Sequence, residues 1–126
     1  MKTETIQQVV VVVDDSSVNL LTATQMLKRQ GFEVLTAANG FDAVNLVKNT
    51  SPAPTLVLMD YQMPIMNGAE ATKHIKEYNP NIPVVGLTTE NDANILHEFE
   101  QSGLSEFCTK PLKMENMTKI TRKYSK

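Results

Sequence analysis

The sequence has no tryptophan and a single cysteine, Cys108. One cysteine cannot close an internal disulfide, so packing must hold the fold, and a reducing compartment fits. Cys108 follows Phe107 in a short apolar stretch, where a free thiol reads as a small buried hydrophobe. Charge of one sign is also lacking. Twelve basic side chains face 14 acidic ones, a formal net charge of -2, which gives no footing for a nucleic-acid groove or a membrane surface. Long apolar runs are missing too: the one starting at Val9 stops at Asp14, after a polar stretch from Met1 to Gln8 that carries Lys2 and Glu4. The expectation is a cytoplasmic protein with no membrane and no direct nucleic-acid partner.

What is present is a steady alternation. Apolar residues make up 41% and charged residues 21% of 126 positions, a globular composition in a chain long enough for one hydrophobic core and too short for two. We expect one domain over residues 1–126, its core running from about residue 8 to residue 125. Val9 to Val13 are five β-branched residues in a row, as in a strand buried on both faces of a parallel sheet. The polar stop Asp14-Asp15-Ser16-Ser17 leads into Leu20, Thr24 and Leu27 at helical spacing, and Gly31 is placed to end that helix. Glu33 to Ala37 reads as a strand, Asn39-Gly40 as a turn, and Ala43, Leu46 and Val47 as a helical stripe closed off by Pro52 and Pro54. Leu56 to Met59 is a third strand ending at Asp60, followed by a loop with Pro64 and Asn67-Gly68 and a helix with Ala71, Ile75 and Tyr78 on one face. Val84 to Leu87, after Pro83, and Glu106 to Thr109 supply the last two strands. Leu96 with Phe99, ahead of Gly103, and then Met114, Met117, Ile120 and Tyr124 mark the last two helices. Five strand-helix units without linker or repeat predict an α/β fold, an open parallel sheet with helices on both faces. The seven methionines read as core filler, and His74 and His97 have no second ligand at metal spacing.

In doubly wound sheets, functional groups collect beyond the carboxyl ends of the strands. There stand Asp14 and Asp15 after the first strand, Asp60 after the third, Thr88 and Thr89 after the fourth, and Lys110 after the fifth. Carboxylates converging on one edge repel unless a cation shares the site, and oxygen-only ligands suit Mg2+, which leaves positions for phosphate oxygens. Phosphoryl transfer needs an in-line nucleophile and neutralised charge. Asp60, alone at its strand end, is the candidate nucleophile; Lys110 can pair with phosphoryl oxygens and the Thr88 hydroxyl can donate to another. Each residue also has a plainer reading: Asp15 as cap of the next helix, Lys110 as solvated surface, a threonine satisfying backbone at a strand end. Their joint placement at the ends of four strands favours a shared site.

The motifs V-V-D-D-S at Val12 to Ser16, L-M-D-Y-Q-M-P-I-M-N-G at Leu58 to Gly68, P-V-V-G-L-T-T at Pro83 to Thr89 and F-C-T-K-P at Phe107 to Pro111 carry a resemblance over nearly the whole chain. The chain resembles the receiver domains of bacterial two-component response regulators and hybrid sensor kinases. The resemblance implies a flavodoxin-like doubly wound sheet of strand order 2-1-3-4-5. It implies that Asp60 accepts phosphoryl from a histidine kinase or histidine phosphotransfer protein, that Asp14, Asp15, Asp60 and the backbone carbonyl of Gln62 surround Mg2+, and that Lys110 contacts the phosphoryl group. It also implies a switch: Thr88 turns inward while the Phe107 ring swings from outside to inside, biasing the face made by the fourth helix, fifth strand and fifth helix. Such a domain is a signalling receiver that catalyses its own phosphorylation and slow dephosphorylation. Gln62, Thr89 and Glu90 resemble tuning positions for the phosphorylated lifetime. Thr89 stands where a small residue such as alanine is usual, and Phe107 where tyrosine is frequent.

On the expected output face, Glu90, Asp92, Glu98 and Glu100 are acidic and Lys113, Lys119, Arg122, Lys123 and Lys126 basic. This reads either as a solvated face or as complementary pairing in a homodimer. The sequence stops after the fifth helix, so action by contact with a downstream protein is expected. Met1 favours a stand-alone regulator and the M-D-Y-Q-M-P-I-M-N-G run a hybrid-kinase receiver. A phosphatase of the haloacid dehalogenase type would need a second Asp at position 62, which holds Gln. A flavodoxin-like carrier would need a hydroxyl-rich loop where Asp14-Asp15 repels phosphate, and a pseudo-receiver would not need the full acidic set with Lys110.

Overall fold

The computed structural model describes residues 8–89 and 92–125. Glu90 and Lys126 lie outside the described residues, as do Met1, Lys2 and Glu4. Strands β1 (Val9–Val13), β2 (Glu33–Ala37), β3 (Leu56–Asp60), β4 (Val84–Thr88) and β5 (Glu106–Thr109) alternate with helices α1 (Ser17–Arg29), α2 (Gly40–Lys48), α3 (Gly68–Tyr78), α4 (Ala93–Gln101) and α5 (Met114–Tyr124). All strand pairs are parallel, in the order β2-β1-β3-β4-β5. This is the flavodoxin-like arrangement, and its order reverses between β1 and β3.

The sheet's period of two sorts the apolar residues onto two faces. Val11, Val13, Val57, Met59 and Val84 join one core with residues of α2, α3 and α4. Val10, Val12, Leu56, Leu58, Val85 and Leu87 join the other with residues of α1 and α5. This is why β1 and β3 carry no polar alternation: each is buried along its whole length. Gly86 interrupts β4 because Phe99 packs straight onto the strand, and a Cβ there would meet the Phe99 ring at 2.9 Å.

Helix stripes differ in detail from the spacing. In α1 the buried row is Ala23 and Leu27, with Thr24 only half-buried. In α3, Thr72 sits inside while Tyr78 is 49% exposed, because the tyrosine stands at the last turn and reaches across to donate to the Lys48 carbonyl, 3.3 Å away. Met114, at the first turn of α5, is 39% exposed. Beside it Gln30 pins α1 to α5, donating to Thr118 Oγ1 at 3.3 Å and accepting from Thr121 Oγ1 at 2.6 Å. No helix among the described residues is long and apolar enough to cross a membrane.

Candidate functional site

Parallel strands deliver their carboxyl ends to one edge, and there β1, β3, β4 and β5 stand side by side. Asp14 follows β1, is 2% exposed, and donates its backbone N–H to the Ala37 carbonyl at 3.1 Å. Its Oδ1 accepts from the Ser16 N–H at 2.9 Å; its Oδ2 accepts from Asn19 Nδ2 at 3.2 Å. Asp60 ends β3, 6% exposed, and its Oδ1 accepts from the Tyr61 N–H at 3.0 Å. Asp15 is exposed, and it does not cap α1: Ser16 does, accepting from the Asn19 N–H. The capping expectation for Asp15 is thereby corrected. Ser16 occupies the extended position from which a side chain reaches the first turn, leaving the Asp15 carboxylate to the cluster. Asp14, Asp15 and Asp60 each offer an oxygen within 4.8 Å of the others.

Lys110 brings the cation. Its N–H donates to the Thr88 carbonyl at 3.1 Å, extending the pairing of β4 and β5, and its Nζ lies 3.1 Å from both Asp14 Oδ2 and Asp60 Oδ1. Burial, then the charge of Asp14, raises the Asp60 carboxyl above its usual range, against the pull of Lys110 and of the Tyr61 N–H. For Lys110, burial works to lower the ammonium, but its hydrogen bonds and ion pairs with Asp60 and Asp14 outweigh it and the net shift is upward.

A cleft of about 370 Å3 opens over these groups, lined by Asp15, Asp60, Tyr61, Gln62, Thr88, Thr89 and Lys110. Gln62 and Thr89 are exposed at its rim, whereas Thr88 is buried. Phe107 is not brought to the cleft. It pairs in register with Gly86, is half-buried, and meets Phe99 edge-on at 5.8 Å between ring centres. Three clustered carboxylates and one ammonium, with Asp15, Asp60 and Lys110 lining a small polar cleft, can hold a hard divalent cation and an oxyanion together.

Sequence reasoning passed over three residues here. Asn19 lies one turn into α1 and bonds Asp14, which only the helix's entry angle reveals. Tyr61 was visible beside Asp60, but its partners Glu98 and Phe99 lie in α4. Gly68 read as a turn glycine. In the fold its N–H donates to the Tyr61 carbonyl at 2.7 Å and a Cβ would stand 2.0 Å from the Asp60 carbonyl oxygen, so glycine is required by close approach. The charges of the expected output face are partly engaged within the chain: Glu98 by the Tyr61 hydroxyl, Lys123 by Glu106 at 2.9 Å, and Asp92 as cap of α4.

Comparison with known proteins gives a family model described as the response regulator receiver domain, matching residues 10–122. A two-component response regulator of Arabidopsis thaliana is 38% identical over 112 residues, covering 89% of this chain and 80% of its own. The sensor protein GacS of Pseudomonas syringae is 36% identical over 121 residues and 92% of this chain, which spans only 13% of its length. Among solved structures, the receiver domain of a sensor histidine kinase from Pseudomonas aeruginosa superimposes with a TM-score of 0.86 at 25% identity, covering 94% of this chain and 98% of that one, and holds a magnesium ion in its active-site cleft. A receiver domain crystallised with a histidine phosphotransfer protein of Saccharomyces cerevisiae gives a TM-score of 0.83 at 25% identity, covering 94% and 88% of the two chains.

Proposed function

The chain belongs to the response regulator receiver domain family of two-component signalling, and from that premise we propose that Asp60 is its phosphoacceptor. The observation that carries this reading is the setting of Asp60: a buried carboxylate at the end of β3, with an ammonium 3.1 Å from its Oδ1 and two further carboxylates close by. A phosphohistidine on a histidine kinase or phosphotransfer protein is the donor. An Asp60 oxygen attacks phosphorus in line as the P–N bond breaks, and the electron pair leaves with the imidazole. Lys110 exchanges its contact with Asp60 Oδ1 for one with the phosphoryl oxygens, and the Thr88 hydroxyl donates to another. Gln62, Thr89 and Glu90 set how long the acyl phosphate lasts by controlling the approach of water.

Hard oxygen donors at this spacing fit Mg2+. Asp14, Asp15, Asp60 and the carbonyl of Gln62 would hold it, and when bound it supplies charge neutralisation for the carboxylates and the phosphoryl oxygens. Residues 1–126 act as one domain in the cytoplasm. The phosphorylated state is read through the Thr88 and Phe107 switch by a protein contacting α4, β5 and α5, or by a second copy of the chain.

The test is intact mass after incubation with acetyl phosphate, for wild type and Asp60→Asn, each with Mg2+ and with EDTA. A phosphoryl-sized gain only in wild type with Mg2+ is expected. No gain with acetyl phosphate or with a phosphorylated histidine protein would overturn the reading.

A further inference from the structure

Tyr61 follows Asp60 directly and belongs to both the acceptor and the helix layer. Its N–H donates to Asp60 Oδ1 at 3.0 Å. Its side chain leaves the cleft for α4, where the hydroxyl donates to Glu98 and the ring meets Phe99 edge-on, 5.5 Å between centres. Phe99 in turn meets Phe107 at 5.8 Å.

We propose that Tyr61 is a positioning residue that couples the acceptor carboxylate to helix α4 through Glu98 and Phe99, alongside the Thr88 and Phe107 pair. The argument is one of room. Phe99 is 0% exposed, and it lies so hard against β4 that a Cβ on Gly86 would stand 2.9 Å from its ring. A close-packed ring transmits displacement because no void is there to absorb it. Derivatising Asp60 alters what its Oδ1 offers to the Tyr61 N–H, and the backbone of Tyr61 shifts in answer. Its ring and hydroxyl carry that shift to two adjacent residues of α4, and Phe99 hands it to Phe107 on β5. Two contacts of different kinds on neighbouring α4 residues make a fixed joint, since the hydrogen bond sets direction and the ring edge sets distance.

This rests on Asp60 being the acceptor, and the experiment separates the two. Amide spectra are recorded before and after adding beryllofluoride with Mg2+, a phosphoryl mimic, to wild type, Tyr61→Phe, Tyr61→Leu and Glu98→Gln. In wild type the amides of Tyr61, Thr88 and Lys110 shift together with those of Ala93–Gln101 and Phe107. In Tyr61→Leu the cleft amides still shift while the α4 shifts fall below about half of the wild-type size. Tyr61→Phe and Glu98→Gln, which keep the ring, lose less. Unchanged α4 shifts in Tyr61→Leu with a loaded cleft would overturn the coupling alone. An absent cleft response in wild type would overturn the acceptor reading and the coupling with it. The starting spectrum of each variant reports whether it is folded.

Discussion

The ammonium of Lys110 stands 3.1 Å from Asp60 Oδ1, and the same Nζ is equally close to Asp14 Oδ2. One ammonium thus offsets the charge of two buried carboxylates. Lys110→Ala leaves two buried carboxylates facing one another, and we expect it to cost about 1–3 kcal/mol in EDTA, with much of that restored by Mg2+. Phosphorylation by acetyl phosphate should slow by about 100-fold or more, because the charge on the transferring group loses its cation. Urea unfolding with and without Mg2+, beside a mass-based time course, checks both. A variant that loses stability but phosphorylates at the wild-type rate would make Lys110 structural only.

The sign of the pH dependence follows from Asp60. Burial, then the charge of Asp14, raises its folded pKa above the ordinary 3.8. Between the unfolded and folded values the folded state therefore holds a proton that the unfolded state has lost. The stability this contributes is fully present below the unfolded value and is lost as pH rises through the folded one. Asp60→Asn removes that penalty, so it should melt above wild type at neutral pH in EDTA, with the gap narrowing towards about pH 4. An asparagine variant melting below wild type at neutral pH would mean that Lys110's attraction outweighs burial.

How much of this was legible depends on whether a residue's reason is local. Val9 to Val13 and Leu56 to Met59 announce buried strands by themselves, and an aspartate closing an apolar run marks a strand end, so the fold and the positions of Asp14, Asp60 and Lys110 could be read directly. The contact of Asn19 with Asp14 needs the entry angle of α1, and that of Tyr61 with Phe99 needs α4 to be docked. Tyr78 and Met114 matched a helical stripe yet stand near helix ends, where the stripe runs past the sheet. Period alone does not say where a core stops.

Gly68 is where close approach matters most. A Cβ would lie 2.0 Å from the Asp60 carbonyl oxygen and 2.9 Å from Tyr61 Cα, both backbone atoms without a rotamer to yield. Gly68→Ala should cost more than about 2 kcal/mol and slow phosphorylation, since relief requires moving the end of β3. Urea unfolding and the acetyl phosphate time course measure the two effects. Wild-type stability would mean that the loop from Tyr61 to Gly68 yields freely.

Thr72 offers the opposite change. It is 0% exposed, and its Oγ1 has no hydrogen-bond partner among the described residues. Valine keeps the branched shape and removes the stranded hydroxyl, so Thr72→Val should stabilise by about 1 kcal/mol, seen as a higher urea midpoint at unchanged slope. A lower midpoint would show that the hydroxyl is satisfied by a buried water.

Ile65 is a β-branched residue at φ 73°, with its side chain 79% exposed. The Met66 N–H donates to the Pro64 carbonyl at 2.8 Å across it, a three-residue turn that at this positive φ is the rarer, strained form of the γ-turn. So sparsely populated a conformation costs about 1–3 kcal/mol, and so exposed a side chain recovers little of it by burial. Ile65→Asn accepts the same turn at lower cost and should stabilise by about 0.5–1.5 kcal/mol. Phosphorylation by acetyl phosphate should be unchanged, because Ile65 is not among the residues lining the cleft. Measuring transfer from a phosphohistidine protein in the same variant then separates two reasons for keeping isoleucine there. Slower transfer with intact small-donor chemistry makes Ile65 a partner contact, whereas equal rates with both donors leave the strain without a functional return. A destabilised asparagine variant would mean that the turn opens in solution and the isoleucine finds packing elsewhere.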